Sequence, residues 1–258
     1  MKTQILVATH KKFPMPTKEG YLPILVGAQK NFTQGIEYKR DDEGINISSK
    51  NPYYNELTAI YWAWKNLKDV DAIGLVHYRR LFFVSKPYNL DNVLDIEKIN
   101  TLLKEYSVLL PKQRNYYIET NYSHYIHAHH QEPLDKTREA IEKFYPKYLA
   151  AFDEVMKKRK AHMFNMFVMR KEAFNSYASF VFEVLEKVEK EIDISDYSVQ
   201  EQRVFGYISE LLMDVWLYTT QQNYKEIAWG QIGPKQTVKK AISFVNRKLG
   251  IGNKQTHF

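Results

Sequence analysis

An apolar run that ends in His77-Tyr78-Arg79-Arg80 is the strongest chemical signal in the chain. Guanidinium forks match phosphate oxygens, so adjacent arginines at a strand end suit a diphosphate. Successive strand residues point to opposite faces. One of Arg79 and Arg80 is therefore expected in a cleft; the plainer alternative is that one pairs with a structural carboxylate such as Glu56 and the other is solvated. The second signal is the segment Tyr122–Asp135, which holds His124, His127, His129 and His130, half of the chain's 8 histidines. Their spacing fits no standard zinc-ligand pattern, and no HExxH helix is present. Histidine also serves as acid, base or hydrogen-bond donor to sugar hydroxyls near neutral pH. Glu132 and Asp135 place carboxylates in the same segment, either of which could act as a general base. The plainer alternative is a polar, aromatic loop whose histidines cap neighbouring backbone.

Two further groups carry weaker signals. Asp42, Asn46, Ser48 and Asn51 lie in a polar loop over 41–51. They are turn and cap formers, and the same groups could read a ribose or a base. Arg203 and Glu210 stand two turns apart on one helix face, which reads first as a buried ion pair and second as catalytic machinery. Some motifs are missing. There is no Walker lysine loop, no GxGxxG after a strand, no GxSxG elbow and no Asp-x-Asp metal motif. An NTPase, a conventional dinucleotide oxidoreductase and an α/β-hydrolase are disfavoured.

These groups need elements to position them. Gln4–Thr9 is short, apolar and β-branched, and it runs into Pro14 and Pro16, so it reads as a buried strand opening into a loop at Ala8, Thr9 and His10. Leu57, Ile60, Tyr61, Trp64 and Leu67 recur at helical spacing, predicting one amphipathic helix over Tyr53–Leu67. Strands are predicted at Ala72–Tyr78, Val108–Leu110 and Met163–Met169. Helices are predicted at Leu134–Phe144, Pro146–Lys158, Lys171–Glu191 and Ser198–Thr219. The alternation indicates an α/β sheet with a more helical C-terminal half. In open α/β sheets ligands bind beyond the carboxyl ends of the strands, where His77–Arg80 falls.

The chain has 258 residues, 44% of them hydrophobic, enough for a large core, and no cysteine. A disulfide framework, a thiolate metal site and a cysteine nucleophile are thereby excluded. No run approaches a signal-peptide core or a membrane span, which suggests a soluble or peripheral protein. With 37 basic and 30 acidic residues the net charge is +7. One unit is expected over residues 1–234. The remainder, 235–258, contains Lys235, Lys239, Lys240, Arg247, Lys248 and Lys254 and no acid. Its apolar residues repeat as in a short basic amphipathic helix, a pattern suited to an anionic membrane or to packing on the body.

Several ordered pieces together resemble the bacterial capsular and exopolysaccharide biosynthesis glycosyltransferase family. They are Asp42–Ser48, Lys50-Asn51-Pro52, the Glu56–Asn66 stretch ELTAIYWAWKN and Ile73–Arg80, IGLVHYRR. Tyr125–Asp135, Asn165–Met169 and Arg203–Glu210 with Trp216 extend the resemblance to about residues 3–230. The resemblance implies a GT-A-like fold and transfer of a hexose from a UDP-sugar to a surface glycan built on a lipid carrier, in the cytoplasm or at the inner face of the membrane. Galactofuranose and galactose are the expected sugars. Ala8, Thr9, His10, the Asp42–Asn51 loop, Arg79 and Arg80 would bind the donor. His127, His129, His130 and Asn165 would bind the acceptor, and His77, Glu132 and Asp135 would do the chemistry, by an inverting displacement. Where relatives carry an acidic pair before Leu-Asp, this chain has Glu132-Pro133, which weakens a two-carboxylate role. No metal is required by this scheme, although one held by the His segment stays open. The competing readings are a metal-dependent hydrolase using His124–His130 and a basic nucleic-acid-binding protein. No nucleic-acid recognition motif is present to support the latter.

Overall fold

The computed structural model describes residues 1–233. The basic segment 235–258 lies outside the described residues. The first half runs β1 (Thr3–Thr9), β2 (Tyr21–Leu25), α1 (Ala28–Asn31), β3 (Lys39–Arg40), α2 (Asn51–Tyr54), α3 (Leu57–Asn66), β4 (Ala72–His77), β5 (Arg80–Phe82) and α4 (Ile96–Glu105). It continues through β6 (Val108–Pro111), β7 (Arg114–Asn115), α5 (Asn121–Ala128), α6 (Glu132–Phe144), α7 (Leu149–Lys157) and β8 (Lys160–Ala161). The chain then forms β9 (Phe167–Arg170), α8 (Lys171–Glu189), α9 (Val204–Thr220), β10 (Tyr224–Ile227) and β11 (Trp229–Gln231).

The main sheet is ordered β10-β6-β9-β4-β1-β2-β3, with β5 joining β4 to β11. β1 pairs in parallel with β2 and β4, and β9 runs antiparallel between β4 and β6. This is the mixed α/β architecture the alternating pattern predicts. Side chains of β1 alternate as strand geometry requires. Leu6 and Ala8 join a core beneath α3, α6, α7, α8 and α9, whereas Ile5 and Val7 join the core under α4. Burial on both faces explains why β1 and β4 are unbroken apolar runs. Gly74 lets β4 and β9 close up: a Cβ there would lie 3.0 Å from Val168 Cγ2 and 3.1 Å from the Phe167 carbonyl.

Several predicted boundaries move, each for a local reason. The helix expected over Tyr53–Leu67 is interrupted at Asn55, which has φ 51°. The strand expected to begin at Met163 begins at Phe167, because Phe164 and Asn165 take φ 78° and 51°. The His-rich segment is mostly helical: α5 starts at a capping box in which Thr120 and Ser123 bond each other's backbone.

The topology brings several ends to one edge of the sheet. The carboxyl ends of β1, β4 and β6, the start of antiparallel β9 and the first turn of α9 all lie there. Residues distant in sequence therefore share one crevice.

Candidate active site

A cavity of about 90 Å³ at this edge is lined by Glu56, His77, Arg80, Arg114, Arg203 and Glu210, with Asn55, Met163, Phe164, Gly206 and Tyr207 completing the wall. A second crevice continues from it. The two share Met163, Tyr207 and Glu210, and the second adds Tyr116, Asn121, His124, Tyr125 and His129. Glu210 thus stands at the junction of a cationic chamber and a histidine- and tyrosine-lined one.

A strained turn builds the chamber floor. Non-glycine residues at positive φ are costly and persist only where their surroundings hold them. Here the hold is explicit. Buried Asp214 on α9 accepts from the His162 backbone N–H at 2.9 Å and contacts His162 Nδ1 at 2.5 Å. Two residues on, the Phe164 carbonyl lies 2.6 Å from His77 Nε2. A carbonyl only accepts, so Nε2 carries the proton. Burial holds His77 below its ordinary pKa, with Arg80 adding to the effect and Glu56 opposing it. The Phe164 N–H donates to Glu210, and the Arg80 guanidinium lies 4.8 Å from the Phe164 ring centre.

Asn165 fastens the opposite wall. Its amide donates to Glu56 Oε1 at 2.7 Å and to the Gly206 carbonyl at 3.2 Å, and its oxygen accepts from Ser209 at 3.0 Å. Arg203 donates through Nε to Asn55 Oδ1 at 2.8 Å. Gly206 permits this approach, because a Cβ there would collide with the Asn55 amide. The break at Asn55 therefore turns Asn55 and Glu56 into the site.

The carboxyls are not equivalent. Glu210 is pushed up to about 8, first by burial and then by the neighbouring Glu56 charge; the Phe164 N–H, Arg80 and Arg114 oppose the rise. Such a group is poised to accept a proton near neutral pH. Beside it, Arg80 and Arg203 offer fixed positive charge suited to an anionic group.

The expected residues fall into three groups. His77, Arg80 and Asn165 meet in or at the chamber. His10, at the end of β1, stays near it: burial, Lys11 and Arg203 hold its pKa below the ordinary value. Arg79 turns instead to the C-terminal end of the sheet, donating to the Ile232 carbonyl at 3.3 Å and accepting from its N–H at 2.9 Å.

The donor-loop residues are tied into local structure. Thr9 donates to the Lys11 carbonyl, and Ala8 is core. Asp42 makes a two-bond pair with Arg40, Asn46 bonds the 42 and 44 carbonyls, and Asn51 bonds the Asn55 carbonyl. Ser48 serves Asp41, which sequence inspection passed over. Wholly buried Asp41 accepts from the Gly27 and Ala28 N–H groups and from the Ser48 and Thr58 hydroxyls, at 2.6–2.9 Å. Asp41→Ala strands the Gly27 and Ala28 N–H groups and the Ser48 hydroxyl, while the Thr58 hydroxyl can turn to the Asn55 carbonyl at 3.0 Å, and should lower unfolding free energy by about 3–5 kcal/mol. Urea melts of wild type and variant measure this directly.

The histidines spread along a wall. His124 and His127 share Glu119 through Nδ1 at 2.7 and 2.8 Å, and His124 also stacks on Tyr116. His129 stacks on Tyr207, and His130 stacks on Tyr197 and faces Glu201 at 3.3 Å. Among the described residues no group of three or more His, Asp and Glu is placed to hold a metal ion. Asp135 bonds Tyr122 and Gln131 and lines a separate groove, while Glu132 is exposed beside Tyr197. Neither lines the two chambers at Glu210.

A mixed sheet flanked by helices, with a charged crevice at the carboxyl ends of its parallel strands, defines an α/β fold with the crevice where such folds place ligands. The chain belongs to the DUF4422 family, described as a domain of unknown function, whose profile matches residues 4–222. No curated protein sequence matches it. Among solved structures it is similar to the apo form of the WbbM bifunctional glycosyltransferase, at 29% identity and a TM-score of 0.83. The match covers 91% of this chain and 46% of that one, so the chain spans less than half of that protein. No helix among the described residues is long and apolar enough to cross a membrane.

Proposed function

We propose that the chain is a glycosyltransferase with a GT-A-like fold. It moves a hexosyl group, galactose or galactofuranose, from a UDP-sugar to a hydroxyl of a capsular, exopolysaccharide or other surface glycan. The carrying observation is that a carboxyl of raised pKa and fixed arginines share one crevice, in a chain similar over most of its length to a glycosyltransferase. The nucleoside lies over the end of β1 beside His10. Arg80 and Arg203 take the charge that develops on the departing diphosphate. Glu210, rather than Glu132 or Asp135, removes the proton from the acceptor hydroxyl as its oxygen attacks the anomeric carbon. The bond from that carbon to the diphosphate oxygen breaks on the opposite face, inverting the centre. His129 and Tyr207 flank the acceptor. Neutral His77 holds the Phe164 carbonyl and so keeps the Phe164 N–H aimed at Glu210.

Thermal shift with UDP-sugars tests the donor class. At a hundredfold excess over Kd, a UDP-hexose should raise Tm by about 5–10 °C. No shift with any UDP-sugar would reject the reading, and so would stabilisation by duplex DNA alone.

The two carboxyls make a second prediction. Glu56 raises the Glu210 pKa through its charge. Glu56→Gln removes that charge, so the rising limb of kcat/KM against pH should move to lower pH by about one unit. An unmoved limb would detach Glu56 from the base.

A further inference from the structure

We infer that the surface formed by Tyr117, Ile118 and the basic run Lys157–Lys160 docks the protein on an anionic lipid bilayer, at the mouth of the histidine-lined chamber. The two segments lie side by side although 40 residues apart. Arg114 pairs with Ala161 and Asn115 with Lys160 across β7 and β8. The Tyr116 N–H donates to the Arg159 carbonyl at 2.8 Å, and the Asn121 N–H to the Lys158 carbonyl at 2.6 Å.

The tip between them is apolar and held outward. Tyr117 is 76% and Ile118 58% exposed, and Tyr117 takes φ 59°. Asn115 Oδ1 accepts from the Tyr117 N–H at 2.8 Å, and Arg159 donates to the Tyr117 carbonyl at 3.1 Å. Tyr218, 48% exposed, meets Lys158 on the same side. Lys157, Arg159 and Lys160 are exposed around this tip, and Arg114 and Lys158 are partly so. Of the nearby acids, Glu154 pairs with Lys157 at 3.2 Å and offsets that lysine, which leaves Lys158, Arg159 and Lys160 as the basic edge; Glu119 is shared by His124 and His127, and Glu226 faces His162 at 3.3 Å.

Aromatic and aliphatic side chains rimmed by lysine and arginine match a bilayer interface, where rings enter the headgroup layer and cations meet anionic lipid. A nucleic acid would use the charges but not the isoleucine. The position supplies a purpose, which rests on the proposed transfer reaction. Tyr116, next to the tip, lines the chamber that Glu210 closes. A glycan carried on a membrane lipid would enter there with its carrier still in the bilayer.

Cosedimentation of the full chain tests this, with phosphatidylcholine vesicles alone or containing phosphatidylglycerol, at low and moderate salt. Each unpaired basic residue near such a surface contributes about fivefold, and Lys157 less because Glu154 pairs with it, so the triple variant K157A/R159A/K160A should bind the anionic vesicles about 25- to 100-fold more weakly. Ile118→Ser, with all charges kept, should lose about tenfold. The single variant Lys160→Glu, with a thermal melt, guards against a folding defect. The proposal is overturned if wild type ignores anionic vesicles or if the triple variant partitions as wild type does. It is also overturned if Ile118→Ser binds vesicles normally while the triple variant loses duplex DNA as strongly as lipid. None of these readouts depends on sugar transfer, so failure of the transferase assignment would leave the partitioning result intact.

Discussion

Glu210→Gln should lower hexosyl transfer by about a thousandfold while leaving the protein folded and able to bind the UDP-sugar. Removing a positioned general base costs about 10²–10⁴ in rate. Glutamine keeps the shape of the side chain and an oxygen to accept the Phe164 N–H, so the loss reports proton acceptance rather than collapse of the turn. The pH profile separates this residue from any other carboxyl. A base must be ionised, so kcat/KM for wild type should rise with pH and level off above about 8, the value to which Glu210 is pushed. A profile without a limb near 8 would detach Glu210 from the proton transfer.

The same substitution carries a stability signature of opposite sign. The folded pKa of Glu210 lies above its unfolded value, so the folded state holds the proton more tightly. That contribution is complete below the unfolded pKa near 4.5 and is lost as pH rises through about 8. Glutamine does not titrate. The variant should therefore be more stable than wild type at pH 8–9, by roughly 2–4 kcal/mol, with a smaller gain toward pH 5. Equal stability of the two proteins across that range would mean that Glu210 is ordinarily solvated.

The chemistry of this site was partly legible in the residues, and the failures have physical causes. Ala72–His77 is apolar because β4 is buried on both faces, so its end at His77 could be located without a structure. Arg203 and Glu210 were singled out, first as a buried ion pair, but Arg203 stands at the cap before α9 and donates to Asn55 rather than to Glu210. Their partners were not, because Glu56, His77 and Phe164 meet them only through the crossing of β4, β9 and α9. Glu132 drew attention by lying next to four histidines, yet nearness in sequence sends it to an exposed helix start. The turn at Phe164-Asn165 was hidden for another reason: Asn165, which tolerates positive φ, sits as a single polar residue in the run Met163–Met169 that reads as strand, and positive φ at a phenylalanine leaves no composition signal. It is the clamp from Asp214, 50 residues downstream, that holds it. Tyr21–Leu25 was also missed as a strand, since Pro23 interrupts a run of only 5 residues.

Arg79 and Arg80 give the second large contrast. Arg80→Ala should reduce kcat by about 10²–10³, the usual cost of removing a fixed charge from a site where charge develops in the transition state. Its guanidinium lies over the Phe164 ring inside the chamber, close enough to both Glu56 and Glu210 to feel their charges. Arg80→Lys should recover only part of the loss, because a point charge on a flexible stem lacks the planar fork that meets two phosphate oxygens. Arg79→Ala should behave differently. Its side chain bonds the Ile232 carbonyl, so the loss should appear in stability, at about 1 kcal/mol, with turnover within a few fold of wild type. Steady-state kinetics of the three variants with a common UDP-hexose, alongside their thermal melts, decide the matter. Equal kinetic defects at the two positions would place the diphosphate across both arginines and outside the chamber, and turnover unaffected by Arg80→Ala would remove the chamber from the reaction altogether. Because the two residues are adjacent in the chain and nearly identical in chemistry, only the direction in which the fold turns each side chain can produce the difference.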